Sequence, residues 1–168
     1  TRVVDLYADG FEPSLSREEL ATYQADRPAG PAGLPPEIER AARDLLWAEA
    51  LVLVYPTWWS GQPAMLKGWM DRVLVKGVAW DMPEGATRLR PRLRNIRRIV
   101  VVTSHGSSKL VNAVEGETGK RTAFRALRVL CSRACRTRWV ALYGIDNATP
   151  AKRSDFLRRA EQAMVRLR

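Results

Sequence analysis

Two short loops hold most of the side chains in this 168-residue sequence that could do chemistry. The first is Tyr55-Pro56-Thr57-Trp58-Trp59-Ser60-Gly61-Gln62-Pro63. It follows Ala50-Leu51-Val52-Leu53-Val54, a continuous apolar run that predicts a strand buried on both faces, as in parallel sheets. The second is Thr103-Ser104-His105-Gly106-Ser107, at the exit of a second apolar run, Ile99-Val100-Val101-Val102-Thr103. Its small residues let a backbone approach a ligand closely. If the two strands are parallel neighbours, both loops leave the same edge, where open α/β sheets place ligands. Backbone amides and the flat indoles of Trp58 and Trp59 can hold a planar ring; alternatively, the indoles anchor the loop. His105 is the only histidine. It either transfers protons or is a solvent-exposed loop residue, and it leaves little for a catalytic triad or a His-rich metal site. No metal ligand set is expected.

The elements that must position these loops follow from the pattern. Residues 2–7 are expected to form a short strand ended by Asp9-Gly10, and Ser16-x-x-Glu19 is a capping-box signature for a short helix. A loop rich in Pro and Gly runs from Asp26 to Pro36, and Pro36 suits a first helical position. Ile38, Ala41, Ala42 and Leu45 recur at helical spacing. The first apolar strand, the Trp-Trp turn and a helix over about 63–75 come next. Residues 76–95 are irregular because Gly77, Pro83, Gly85 and Pro91 break any period. Ala123, Phe124, Leu127, Leu130, Cys131 and Ala134 predict one helix with an apolar stripe. Trp139–Tyr143 predicts the last strand, and a final helix from about Pro150 is expected to face Phe156, Leu157, Ala160, Met164 and Leu167 inward. Asn147-Ala148-Thr149 matches a glycosylation acceptor but is more simply a helix entry, with Thr149 near the cap. Strands alternating with helices argue for a doubly wound α/β sheet within one domain, residues 1–168.

Composition narrows the function classes. The formal charge is +10, with 8 Lys/Arg against 13 Asp/Glu over residues 1–87 and 20 against 5 thereafter. Such a basic half attracts anions, but no nucleic-acid motif or interleaved stacking aromatic accompanies it, so no nucleic-acid partner is expected. No apolar run approaches a membrane span, so no membrane insertion is expected, and no signal-peptide pattern opens the sequence. Cys131 and Cys135 are expected on one helix as core residues, and a cytoplasmic location is expected. There is no Walker A motif and no dinucleotide glycine fingerprint.

The ordered motifs carry a resemblance. Asp5-Leu6-Tyr7-Ala8-x-x-Phe11-x-Pro13, then Tyr55-Pro56-x-x-Trp59-x-Gly61-x-Pro63-Ala64-x-Leu66-Lys67-Gly68-Trp69-x-Asp71-Arg72-Val73, then Gly77-Val78-Ala79-Trp80 and Thr103-x-x-Gly106, occur in sequence. Across nearly the whole chain they resemble the flavodoxin-like NAD(P)H dehydrogenase (quinone) family. The resemblance implies a flavodoxin-like parallel sheet with helices on both faces. It implies a flavin-dependent NAD(P)H:quinone oxidoreductase, with FAD or FMN as cofactor, passing hydride from NAD(P)H to a quinone by a ping-pong route. The other reading is a flavin- or nucleotide-binding redox sensor of a transport system. Pro56, Thr57, Trp58, Trp59 and Ser60 would border the ring, and Thr103, Ser104, His105 and Gly106 would bond its pyrimidine edge. Trp80 would line the substrate pocket across a homodimer. The family's first strand, phosphate loop and helix have no counterpart here, so the sequence is expected to lack the N-terminal part of the domain. The Tyr and His of the family's proton relay are also missing from Lys109–Gly119, which leaves His105, Glu115, Glu117 or water.

Overall fold

Ile99 to Val102 are four β-branched residues in succession, and the strand they form lies at the centre of the sheet. The structure is a computed structural model in which residues 1–23, 25 and 29–167 are described. Three parallel strands, β1 (Ala50–Pro56), β4 (Arg98–His105) and β5 (Arg136–Tyr143), pair in the order β1-β4-β5. A separate two-stranded ribbon joins β2 (Trp80–Asp81) and β3 (Arg90–Pro91). The chain divides into two compact units. One comprises Thr1–Ala48, Ala64–Asn95 and Val129–Arg133; the other comprises Glu49–Pro63, Ile96–Arg128 and Ala134–Arg168.

The second unit contains the sheet. Val52, Val100, Val102 and Val140 share a face on which α7 (Pro150–Val165) lays Phe156, Ala160, Ala163 and Met164, with Leu167 just beyond it. Thr149 caps that helix by accepting a hydrogen bond from the Lys152 amide, as the sequence predicts. Leu157 points away instead, 64% exposed. β1 departs from expectation too. Among the described residues it pairs only with β4, and Val54 is 73% exposed. Ala50–Val54 is as apolar as the run that forms β4, so composition could not tell which of the two strands is paired on both sides here.

The first unit is helical. α1 (Arg17–Thr22) opens with the complete capping box, Ser16 Oγ accepting from the Glu19 amide and Glu19 accepting from the Ser16 amide. α2 (Pro36–Trp47) begins on Pro36 and buries Ile38, Ala42 and Leu45. Its C-terminal carbonyls at Leu45 and Ala48 accept hydrogen bonds from the Asn95 side chain. α3 (Ala64–Val73) packs against α2 and buries Leu66, Trp69, Met70 and Val73. Residues 2–7 form no strand. Val3 and Val4 are exposed, and Asp5 closes a turn by accepting from the Tyr7 and Ala8 amides. The chain then crosses α3 at Gly68, where an added Cβ would lie 2.2 Å from the Pro13 carbonyl oxygen and 2.4 Å from the Pro13 Cβ. Gly68→Ala is therefore expected to destabilise the protein by about 1–3 kcal/mol, the usual cost of overpacking. Thermal unfolding checks this, and an unchanged Tm would mean that Pro13 does not sit there.

The helix predicted over 123–134 is broken up. α5 (Thr118–Arg121) runs into a π-helical turn, Thr122–Leu127, and then α6 (Arg128–Leu130). Cys131 is not helical but bridges to Leu93, whose amide donates to the Leu130 carbonyl. Cys131 and Cys135 are both buried and reduced.

Candidate functional site

The register of the sheet brings the two loops together. Pro56 lies opposite Ser104, and the Thr57 amide donates to the Ser104 carbonyl at 2.8 Å, extending the ladder one residue past β1. Thr57 Oγ1 lies 3.0 Å from Thr103 Oγ1 and 3.5 Å from His105 Nε2. Thr103 and His105 are buried, while Gly106 is exposed.

Beyond Thr57 the chain makes a two-residue hairpin. The Trp58 amide donates to the Gly61 carbonyl and the Gly61 amide to the Trp58 carbonyl, at 3.1 and 2.9 Å. Both central residues are left-handed, Trp59 at φ 46° and Ser60 at φ 59°. Such turns favour Asn-Gly, and a side chain in this region costs about 1–2 kcal/mol per residue. The loop after α4 (Lys109–Val114) holds the turn down. Ser60 Oγ donates to Glu115, and the Ser60 carbonyl accepts from Thr118 Oγ1 and the Gly119 amide. The turn presents its indoles outward, with Trp58 63% and Trp59 100% exposed. Trp59 therefore anchors nothing within the chain.

Under this turn, Tyr55 and His105 are buried polar groups with loose ends. Tyr55 Oη has no hydrogen-bond partner, and burial pushes its phenol up to about 12 despite the neighbouring Gln62 amide. His105 Nδ1 is likewise buried without a partner. Burial also pulls the imidazole below its ordinary pKa, against the opposing pull of Asn112, Glu117 and Glu115, which favours its neutral form.

Three residues that the sequence did not single out, or left undecided, surround His105. Tyr143, opposite it in register on β5, stacks on the imidazole with ring centroids 4.6 Å apart and planes 17° apart. Trp139 lies tilted at 6.1 Å, and its indole N–H donates to Tyr143 Oη. Tyr143 donates in turn to Glu117 at 3.2 Å. The strand-end pattern could have revealed Tyr143, since a third parallel strand must also end at this edge. Glu117 could not be found that way, because a loop fixes it. Trp80 belongs to the other unit, where its indole N–H donates to the Leu74 carbonyl.

Parallel strands with such exits at one edge, and a helix across one face, place the protein in the flavodoxin-like class of α/β proteins. Residues 1–167 match the family Flavodoxin_2, described as flavodoxin-like fold, and the chain belongs to that family. It is 35% identical over 101 residues to an uncharacterized NAD(P)H oxidoreductase of Haemophilus influenzae, covering 60% of this chain and 47% of that protein. It is 34% identical over 92 residues to the human ribosyldihydronicotinamide dehydrogenase [quinone], covering 48% and 40%. The chain thus spans about half or less of the length of these curated relatives. Among solved structures, an NAD(P)H:quinone oxidoreductase from Methanothermobacter marburgensis superposes with a TM-score of 0.80 at 27% identity, covering 96% of this chain and 79% of that one. Smu.1420 from Streptococcus mutans gives 0.76 at 25%, covering 95% and 79%. Among the described residues there is no group of three or more His, Cys, Asp or Glu that could hold a metal ion, and no helix long and apolar enough to cross a membrane.

Proposed function

We propose that the protein is a flavin-dependent NAD(P)H:quinone oxidoreductase that works by a ping-pong route, as a cytoplasmic homodimer. The observation that carries this reading is the pairing of an outward-facing Trp turn with an in-register exit loop holding a buried imidazole whose Nδ1 lacks a partner. A flavin ring fits that donor set: a flat apolar body beside the indoles, and a polar edge for Nδ1 and the backbone of Thr103–Gly106. The names of the relatives support the electron donor and the acceptor class.

When bound, FAD or FMN supplies the two-electron chemistry, accepting hydride from NAD(P)H and passing it to a quinone. The chain supplies position and electrostatics. Pro56, Thr57 and Ser60 set the wall carrying Trp58 and Trp59, and the left-handed turn points Trp59 away from the chain's own core. The amides of the Thr103–Gly106 loop are donors suited to negative charge on a ring edge. Burial favours the neutral form of His105, in which one ring nitrogen donates and the other accepts. Trp80 would line the acceptor pocket across the homodimer.

The purified protein is expected to be yellow, to bleach with NADH or NADPH, and to regain colour when a quinone is added. Heat release followed by chromatography identifies FAD or FMN. A colourless protein with no affinity for either flavin overturns the proposal. Bound flavin that no nicotinamide reduces overturns the enzymatic part and favours a redox sensor.

A further inference from the structure

Lys109–Gly119 contains no tyrosine and no histidine, yet its C-terminal end is tied to the site by an unusual backbone. Gly116 has φ 90°, and Glu117 is left-handed at φ 47°. Strained backbone persists where surrounding contacts over-determine it, and an observed outlier of this kind points toward function. At Glu117 those contacts are explicit. One carboxylate oxygen accepts from Tyr143 Oη at 3.2 Å, and the other accepts from Lys120 Nζ at 2.8 Å. Tyr143 Oη also accepts from the Trp139 indole, and its ring carries His105. Burial raises the Tyr143 pKa, so the phenol keeps its proton and remains the donor in the pair.

We propose that Glu117 is a positioning residue for His105: through Tyr143 it fixes the aromatic surface on which the imidazole stacks, and it places a negative charge near that ring. This rests on reading His105 as part of the functional site. The contact between Tyr143 and His105 is a ring stack and not a hydrogen bond, so no proton passes along it; the effect is orientation and field. The elements packed against His105 are few. β1 and its exit contribute Thr57, α4 contributes Asn112, and β5 contributes Trp139 and Tyr143, none of them charged at neutral pH. The charges acting on His105 are Glu117 and the more exposed Glu115, with Lys120 partly neutralising the former. Of the two acids, Glu117 has the direct bond to the stacked ring.

Because the chain has one histidine, its imidazole signals in an NMR titration report His105 alone, with or without flavin. In Glu117→Gln these signals are expected to move, because the tyrosine loses its charged acceptor. Their titration midpoint is expected to fall below that of the wild type, because burial then acts with less opposing charge. Glu117→Asp should restore part of both changes. Tyr143→Phe keeps the stacked ring and the carboxylate but removes the bridge. It should move the ring signals with a smaller change in midpoint than Glu117→Gln. Thermal unfolding of the same samples establishes that the fold is intact, and if Glu117→Gln fails to fold, Tyr143→Phe carries the test. Unchanged ring signals and midpoint in a folded variant would overturn the proposal. Flavin loss in the wild type, by contrast, would count against the function and not against this clamp.

Discussion

Arg72→Met is expected to cost roughly 3–5 kcal/mol of stability, the usual penalty for removing one partner of a buried ionic cluster. The guanidinium is only 5% exposed, and each of its three nitrogens donates a hydrogen bond. Nε donates to Glu19 and one Nη to Glu37, both at 2.9 Å, and the other Nη to the Glu12 carbonyl. The Phe11 ring lies 5.4 Å from the guanidinium carbon. Burial opposes this charge, and the two carboxylates more than offset it, leaving the guanidinium pKa above its ordinary value. Methionine fills the volume but leaves Glu19, itself largely buried, without its cation.

The cluster also sets a direction for pH dependence. Burial works against the Glu19 carboxylate, but the Ser16 amide and Arg72 outweigh it and hold its pKa below the ordinary carboxylate range. A carboxylate depressed on folding contributes stability that is present above its unfolded pKa and lost as pH falls through the folded value. The wild type should therefore lose stability below about pH 4.5 more steeply than Arg72→Met. Urea midpoints taken between pH 7 and 3 check both parts. A loss under about 1 kcal/mol at pH 7 would show that the pair contributes little, as exposed pairs do.

The second large effect separates two tryptophans ten residues apart. Trp69 is 9% exposed in the helical unit, whereas Trp59 is fully exposed on its turn. Trp69→Ala should cost about 3–5 kcal/mol through lost burial and the cavity left behind. Trp59→Ala should change stability by no more than about 0.5 kcal/mol, as surface substitutions do. Flavin retention should reverse that order, with Trp59→Ala losing cofactor on gel filtration at an unchanged Tm. Equal flavin loss by the two variants at matched stability would count against the site map.

Much of the fold was legible in the sequence. Ser16 and Glu19 announced a capping box, Pro36 a helix start and Thr149 a helix cap, because each is a local signal whose partner lies within a few residues. The two apolar runs announced parallel strands, and their exits do leave the same edge of the sheet. What failed was non-local. Val3 and Val4 have strand-forming side chains but no strand partner among the described residues, and Asp5 closes a turn directly after them. The stripe from Ala123 to Ala134 has helical spacing, yet the π-helical turn widens the coil at 122–127 and the chain leaves the helix at Leu130. The Glu117–Tyr143 contact spans 26 residues and depends on one left-handed backbone residue, which no periodicity encodes.

β1 has a chemical consequence beyond the site. From Ala50 to Tyr55 it offers six residues with no charge and no proline, paired on one side only among the described residues. When the chain unfolds, such a segment can pair with another copy and so seed aggregates. Glu49 and Pro56 bracket it, a charge at one end and a missing amide donor at the other, in the manner of gatekeepers. The strand that delivers the Trp turn to the surface is thus also a segment whose solubility in the unfolded chain depends on its two flanking residues.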